Sequence, residues 1–448
     1  MGKPQVFDDQ EQERVFERVA AVDVAKASGV VCLRLPHPAQ PAGRRSQVWE
    51  VPATMHAVTE LAGRLAAAGV QKVTLESTSD YWRIWFYVLE EAGLDVQLVN
   101  ASQARNLPGR PKTDKLDAMW LARLTEMGLL RPSFVPPAEI RALRGCARAR
   151  TRLTQDRTRC WARMEKLPED ALIKVSSVAS KLTTLSVQDM IRAMIAGQRD
   201  PQVLAGLARS RMKAKHDALA EALAGMFTDH HAELAQLLLD QIAFLDTQIA
   251  RLTMLIGEQL ASIRAAWGID ADGATGPGAG TGPDAIALPA IARLDEVTGI
   301  GAELAASIIS ETGLDMTRFP SPGHAASWTG LCGRTIQSGS RTRNGKGQGN
   351  AWLRGYLGQA AIAAARTNTF LGERYRRIAR RRGAARAQVA VARSILTIVW
   401  HLLSDPTARY HDLGPGHYQA RTDKSRKARN HIRQLEALGY TVTITQAA

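Results

Sequence analysis

Four carboxylates in the first part of the chain have the types and surroundings that phosphodiester chemistry needs: Asp23, Glu76, Asp114 and Asp117. Asp23 lies in an apolar run, Val22-Asp23-Val24-Ala25, where a carboxylate is costly unless it meets a cation or a partner. Glu76 ends a second such run, Lys72-Val73-Thr74-Leu75-Glu76. Asp114 and Asp117 are three positions apart and so share one face of a helix. Each acid alone has an ordinary reading as a strand end, an ion-pair partner or a helix N-terminus that favours negative charge. Gathered together, four acids form a cluster stable mainly when divalent metal neutralises it. Two Mg2+ ions held by carboxylates activate a nucleophile and stabilise the leaving oxygen of a phosphodiester.

The elements that must position these acids surround them. Residues 22–26 and 29–35 read as two strands joined by a turn, and 47–52 as a third. Residues 55–69 carry apolar side chains at helical spacing (Val58, Leu61, Leu65) and end on Gly69. Short strands at 72–76 and 95–99 flank a helix over 82–93. This order, β-β-β-α-β-α-β, predicts an α/β domain of RNase H-like type over residues 18–135. A doubly wound nucleotide-binding fold would need a glycine-rich turn after the first strand, and Gly29 alone does not supply one. Residues 106–112 read as a Pro/Gly/basic loop, with Thr113 the expected N-cap of a helix over 114–127.

Beyond Pro137 the pattern becomes mainly α. Residues 140–167 are Arg-rich, and 205–267 repeat apolar residues at three- and four-residue steps, so 138–268 predicts long helices in an antiparallel or oligomeric coiled coil. Residues 272–284, rich in Gly and Pro, read as a flexible linker. A mostly helical unit is expected over 285–405, followed by a basic tail over 406–448.

Of 448 residues, 58 are Lys or Arg and 43 Asp or Glu, a net charge of +15 that points to a polyanionic partner. Apolar residues make up 45% of the chain, which excludes disorder of the whole. The four cysteines have no CxxC spacing, which argues against a zinc site or a disulfide framework and fits a reducing, cytoplasmic setting. No apolar run marks a signal peptide, and residues 389–403, interrupted by Arg393, are too few to span a bilayer. Arginine runs at 141–163, including Arg148 and Arg152, and at 374–386, including Arg377 and Arg381, are candidate phosphate contacts. Trp120, Trp161, Trp352 and Trp400 read as core residues, and His230 and His231 as surface residues.

In the C-terminal unit, Gly299-Ile300-Gly301 separates two helical patterns. It reads as a helix-hairpin-helix that either holds a backbone phosphate or makes a tight interhelical turn. Ser338 lies in a Gly- and Arg-rich loop ahead of a helix opening near Asn350, with Arg341, Arg343, Lys346 and Arg354 placed to stabilise phosphoryl charge. From the residues alone, this serine is either a turn former or a nucleophile.

Val22-Asp23-Val24-Ala25-Lys26, Leu75-Glu76-Ser77-Thr78-Ser79-Asp80-Tyr81-Trp82 and Lys112-Thr113-Asp114-Lys115-Leu116-Asp117-Ala118 resemble the motifs of the DEDD transposases of insertion sequences. Ser338-Gly339, followed by basic residues and Gly349-Asn350-Ala351-Trp352-Leu353-Arg354, resembles the same family's C-terminal domain. Ser79 and Asp80 stand where a glycine pair is usual, and Lys346-Gly347-Gln348 where an apolar residue and a second lysine are common. The resemblance covers residues 18–165 and 290–405. It implies a RuvC-like N-terminal domain whose Asp23, Glu76, Asp114 and Asp117 bind Mg2+, and a transposase domain whose nucleophile is Ser338, with Ser340 the neighbouring candidate. It further implies a covalent phosphoserine intermediate, donor and target DNA chosen by a guide (bridge) RNA, and a homodimer or homotetramer in which the acids of one subunit meet the serine of another. Rival readings are a RuvC-like junction endonuclease using metal-bound water, a Piv-like DNA invertase without an RNA guide, and a non-enzymatic nucleic-acid-binding assembly protein. No Arg-His-x-x-Arg-Tyr constellation near the C-terminus suggests a tyrosine recombinase.

Overall fold

Strict alternation builds the first sheet. In β1 (Val19–Val24) every residue but Asp23 is buried: Ala20, Val22 and Val24 pack on one face, Val19 and Ala21 on the other. A computed structural model describes residues 15–77, 79–100, 114–267, 288–339, 341–346, 349–420 and 424–443, and the chain divides into two units after Val135.

In the first unit, β1, β2 (Ser28–His37) and β3 (Gln40–Pro52) form an antiparallel meander, and β4 (Lys72–Ser77) and β5 (Val96–Asn100) continue it in parallel, in the order β3-β2-β1-β4-β5. Helices α1 (Met55–Ala67) and α2 (Trp82–Glu91) cover one face, where Leu65, Trp85 and Leu89 are fully buried. Helix α3 (Asp114–Glu126) covers the other through Ala118, Leu121 and Ala122, against Val19, Ala21, Cys32 and Val99. β1 starts three residues before the expected strand and ends at Val24, and β3 starts at Gln40 rather than 47 because it pairs along the full length of β2. The 106–112 loop and Thr113 lie outside the described residues.

Cys32 sits in the α3-facing layer, and burial, with Glu126 adding to it against the opposing pull of Arg34, pushes its thiol up to about 11. Its thiolate is therefore scarce at pH 8. Alkylation of the folded protein at that pH, mapped by mass spectrometry, is expected to mark the half-buried Cys146 and Cys332 and to spare Cys32. Labelling of Cys32 as fast as Cys146 would contradict this placement.

The second unit is built on two long helices, α4 (Ala138–Asp170) and α5 (Asp229–Ser262). They run antiparallel: Arg150 bonds Thr253 at 2.8 Å, and Arg157 meets Asp246 at 2.5 Å. The expected helical stretch from 205 is broken. Residues 201–223 form short helices instead, and Gly225 turns the chain where a Cβ would stand 2.6 Å from the Ala171 carbonyl. Thr228 then opens α5 with a capping box closed by His231, so that histidine has a local structural role rather than a purely solvated one. The 272–284 linker lies outside the described residues.

C-terminal to it, α6 (Ala302–Thr312), α7 (Pro322–Thr329), α8 (Ala351–Ala365), α9 (Phe370–Arg382) and α10 (Ala384–Ser404) pack around the buried face of α10, which includes Val391, Ile395, Leu396 and Val399. By length and composition α10 is apolar enough to cross a membrane. Its apolar face instead fills this core, and Arg386 and Arg393 stand exposed on the other side. The Gly299 turn is a packing turn: φ is +93°, and a Cβ there would lie 2.3 Å from the Ala360 carbonyl.

Candidate active site

Asp23 and Glu76 are paired residues on neighbouring parallel strands, so their side chains leave the sheet on the same face. That face is the one α3 covers. Asp23 continues the Val19–Ala21 alternation that meets α3, and Glu76 continues from Thr74, whose hydroxyl lies 2.7 Å from that of Thr125 on α3. Glu76 is only 5% exposed.

The C-terminal end of α3 is pinned near the start of β1. Arg34, registered opposite Val19, donates from Nε to Glu126 Oε2 at 2.6 Å, and Arg44 meets the other oxygen of the same carboxylate. From Glu126 back to Asp117 the helix rises about 13 Å. From Val19 to Asp23 the strand advances about 13 Å. Because α3 runs antiparallel to β1, Asp117 lies towards the end of the sheet that carries Asp23 and Glu76. Asp114 follows one turn farther along; its backbone is helical, and its side chain lies outside the described residues.

Asp23 and Glu76, in register, are hard oxygen donors of the kind that suits Mg2+. Among the described residues, no group of three or more His, Cys, Asp or Glu side chains stands close enough together to hold a metal ion. The anchoring residues Thr74, Thr125, Glu126, Arg34 and Arg44 were not singled out in the sequence. The available signal was an acid, Glu126, closing the helix that Asp114 and Asp117 open.

Ser338 stands on a hairpin rather than in a loop. β6 (Gly333–Ser338) and β7 (Arg341–Lys346) pair antiparallel, and Ser338 opposite Arg341 is the last pair, at the tip. The glycines around the stretch suggest a loop, yet Thr335, Ile336, Gln337 and Thr342 have strand-compatible side chains. Arg341 is exposed there. The side chains of Ser338, Arg343 and Lys346, and Ser340 as a whole, lie outside the described residues.

The base of the hairpin is clamped. A Cβ on Gly349 would stand 2.5 Å from the Gly330 amide nitrogen, and Asn350 N donates to the Trp328 carbonyl at 3.2 Å. Asn350 Oδ1 caps α8 by accepting from Trp352 N and Leu353 N at 3.0 and 3.1 Å. Its Nδ2 donates to Glu311 Oε2 at 2.6 Å. Glu311 is fully buried and also accepts from Arg148 Nε and Nη2 at 2.7 and 2.8 Å, while Arg144 bonds the carbonyls of Ser310 and Glu311. An acid among Ile308, Ile309 and Ser310, with arginines at i and i+4 elsewhere, was the sequence signal for this hub.

The Arg141–Arg163 run therefore changes meaning. Arg144, Arg148, Arg150, Arg157 and Arg159 have carboxylate or carbonyl partners within the unit, and Arg152 lies over the Trp352 ring at 5.3 Å. Arg354 reaches the Thr329 carbonyl at 3.5 Å, and Arg377 stacks over Tyr418 at 4.1 Å. Arg381 stays exposed at the end of α9.

Two family models place the chain among DNA-processing enzymes. Residues 20–169 match a DEDD family model described as Transposase, and residues 291–376 match that of the Transposase IS116/IS110/IS902 family; together these spans cover more than half of the chain. The chain belongs to the IS110 family of DEDD transposases, enzymes that cut and rejoin DNA. No curated protein matches it. DEDD nucleases typically depend on divalent metal.

Proposed function

We propose that this transposase cuts DNA through Ser338, forming a covalent phosphoserine, with Asp23, Glu76, Asp114 and Asp117 holding Mg2+ on an RNase H-like sheet. The register of Asp23 against Glu76 carries the reading. Two carboxylates on adjacent positions of one sheet face set hard oxygen donors side by side, the donor type that Mg2+ takes. When bound, Mg2+ supplies charge stabilisation to the phosphoryl oxygens.

The residues of the chain do the rest. Asp23 and Glu76 would hold the ion beside the phosphate, and α3, held by Glu126 and Thr125, carries Asp117 towards the same end of the sheet. Ser338 Oγ attacks phosphorus as the bond to one deoxyribose oxygen breaks. The serine proton leaves, and the freed deoxyribose oxygen takes one up. A hydroxyl of the incoming strand then displaces Oγ, which restores Ser338 and joins the new ends. Exposed Arg341 at the hairpin tip stabilises charge on the phosphoryl group. A bridge RNA selects donor and target, and a homodimer or homotetramer holds both DNAs.

Denaturing gels after incubation with labelled DNA are expected to show a protein–DNA adduct that disappears in Ser338→Ala, with rejoining down by about 10^3-fold or more. Normal cleavage and rejoining by Ser338→Ala would falsify the covalent route and leave hydrolysis by metal-bound water. Sequencing the nucleic acid that copurifies with the protein tests the guide: a short RNA of defined sequence is expected. Its absence favours an unguided, Piv-like recombinase.

A further inference from the structure

At the foot of the serine hairpin lies a groove of about 770 Å³ that the reading above does not use. Its walls are α9 and the exposed side of α10, and Leu331, two residues before β6, reaches into it. Three arginines line it, Arg374, Arg386 and Arg393, and no carboxylate does.

These cations are unlike those of the Arg141–Arg163 run. Arg386 and Arg393 are exposed and have no ion-pair or hydrogen-bond partner among the described residues. Arg374 donates from Nη1 to the Tyr418 hydroxyl at 2.8 Å, but its Nε is buried with no hydrogen-bond partner among the described residues. A buried guanidinium donor left unbonded carries a desolvation cost that an incoming anion removes. The other polar groups are already engaged: Ser394 and Thr397 bond carbonyls one turn back on α10, and Gln388 bonds the Gly358 carbonyl. The groove thus offers unpaired positive charge around an apolar floor of Ala385, Val389 and Ala390.

We infer that this groove holds a short single-stranded stretch of the DNA being recombined, with its phosphates on Arg374, Arg386 and Arg393 and a base or sugar face on Val389. Arg386 and Arg393 are separated by about 10.5 Å along the helix, so a strand laid along α10 meets both. The volume is that of a small-ligand cleft, which suits a few nucleotides of one strand and not a duplex. Apolar contact with base faces and cation contact with phosphates is the usual chemistry of single-strand binding. From Leu331 the hairpin leads directly to Ser338, so the groove delivers the strand towards the nucleophile. The inference rests on the proposed role of Ser338 only for that last step.

The test uses the full-length protein and a fluorescein-labelled twelve-nucleotide oligo-dT, read by anisotropy across a salt series. Arg386→Glu with Arg393→Glu is expected to weaken binding at least tenfold and to lower the slope of log K against log[salt] by about 1.4. Arg386→Gln with Arg393→Gln gives a smaller loss in the same direction, and Arg251→Glu, an exposed charge reversal on α5, gives none. Ser338→Ala binds the oligonucleotide like the wild type, so failure of the nucleophile reading and failure of the groove are separable. Unchanged affinity and slope in the double variant overturn the site. Loss of affinity for oligo-U but not for oligo-dT overturns its assignment to DNA.

Discussion

Asp23→Asn is expected to abolish DNA cleavage and to remove most of the stabilisation that Mg2+ gives the folded protein. Asp23 and Glu76 are paired across one rung of the sheet, and the amide keeps the shape of the carboxylate while removing a charged oxygen donor. The wild type gains about 2.7 kcal/mol when the metal is at a hundred times its dissociation constant, and the variant gains far less. Thermal melts with and without Mg2+, beside a cleavage gel, read both effects. A variant whose melt rises as much as the wild type's with Mg2+ would show that Asp23 does not serve the ion. Glu76→Gln should likewise lose the Mg2+-dependent rise in melting temperature.

The second large effect falls in the other unit. Glu311→Ala is expected to cost about 3–5 kcal/mol, the usual consequence of removing one partner from a buried ion pair. The carboxylate has no exposed surface, and its loss leaves Arg148 without its bidentate acceptor and Asn350 Nδ2 without its bond. Urea denaturation should show the C-terminal unit melting earlier, with the N-terminal unit unaffected. Glu311→Gln keeps an acceptor for Asn350 and should recover part of the loss. If Glu311→Ala shifted the midpoint by less than the equivalent of 1 kcal/mol, the hub would not be the clamp of the hairpin base.

Much of the first unit was legible because period-two and period-3.6 patterns are local. The alternation around Asp23 marks a strand, and the three-residue spacing of Asp114 and Asp117 marks a helix face. What escaped is non-local. β3 reaches back to Gln40 through Pro41, Gly43 and two arginines, a stretch that reads as a turn until β2 is present to pair with it. The Ser338 hairpin is hidden by its glycines in the same way. Arginine counting fails for a sharper reason: Arg148 and Glu311 are 163 positions apart, so no local window tells a guanidinium awaiting phosphate from one already neutralised. Burial and ion pairing separate the two kinds. Among the described residues they leave exposed, unpaired charge on Arg386 and Arg393 of α10, apart from the paired arginines of the middle helix.

The hairpin also acts as a lever. Six residues of strand extend about 20 Å from a base locked by Gly349 and Asn350 to a tip at Ser338. A tilt of about 10° at that base sweeps the tip through about 3 Å. Stiffness at the fulcrum therefore sets how accurately the hairpin tip is placed, and Glu311, bonded to Asn350 at that base, limits the play it has.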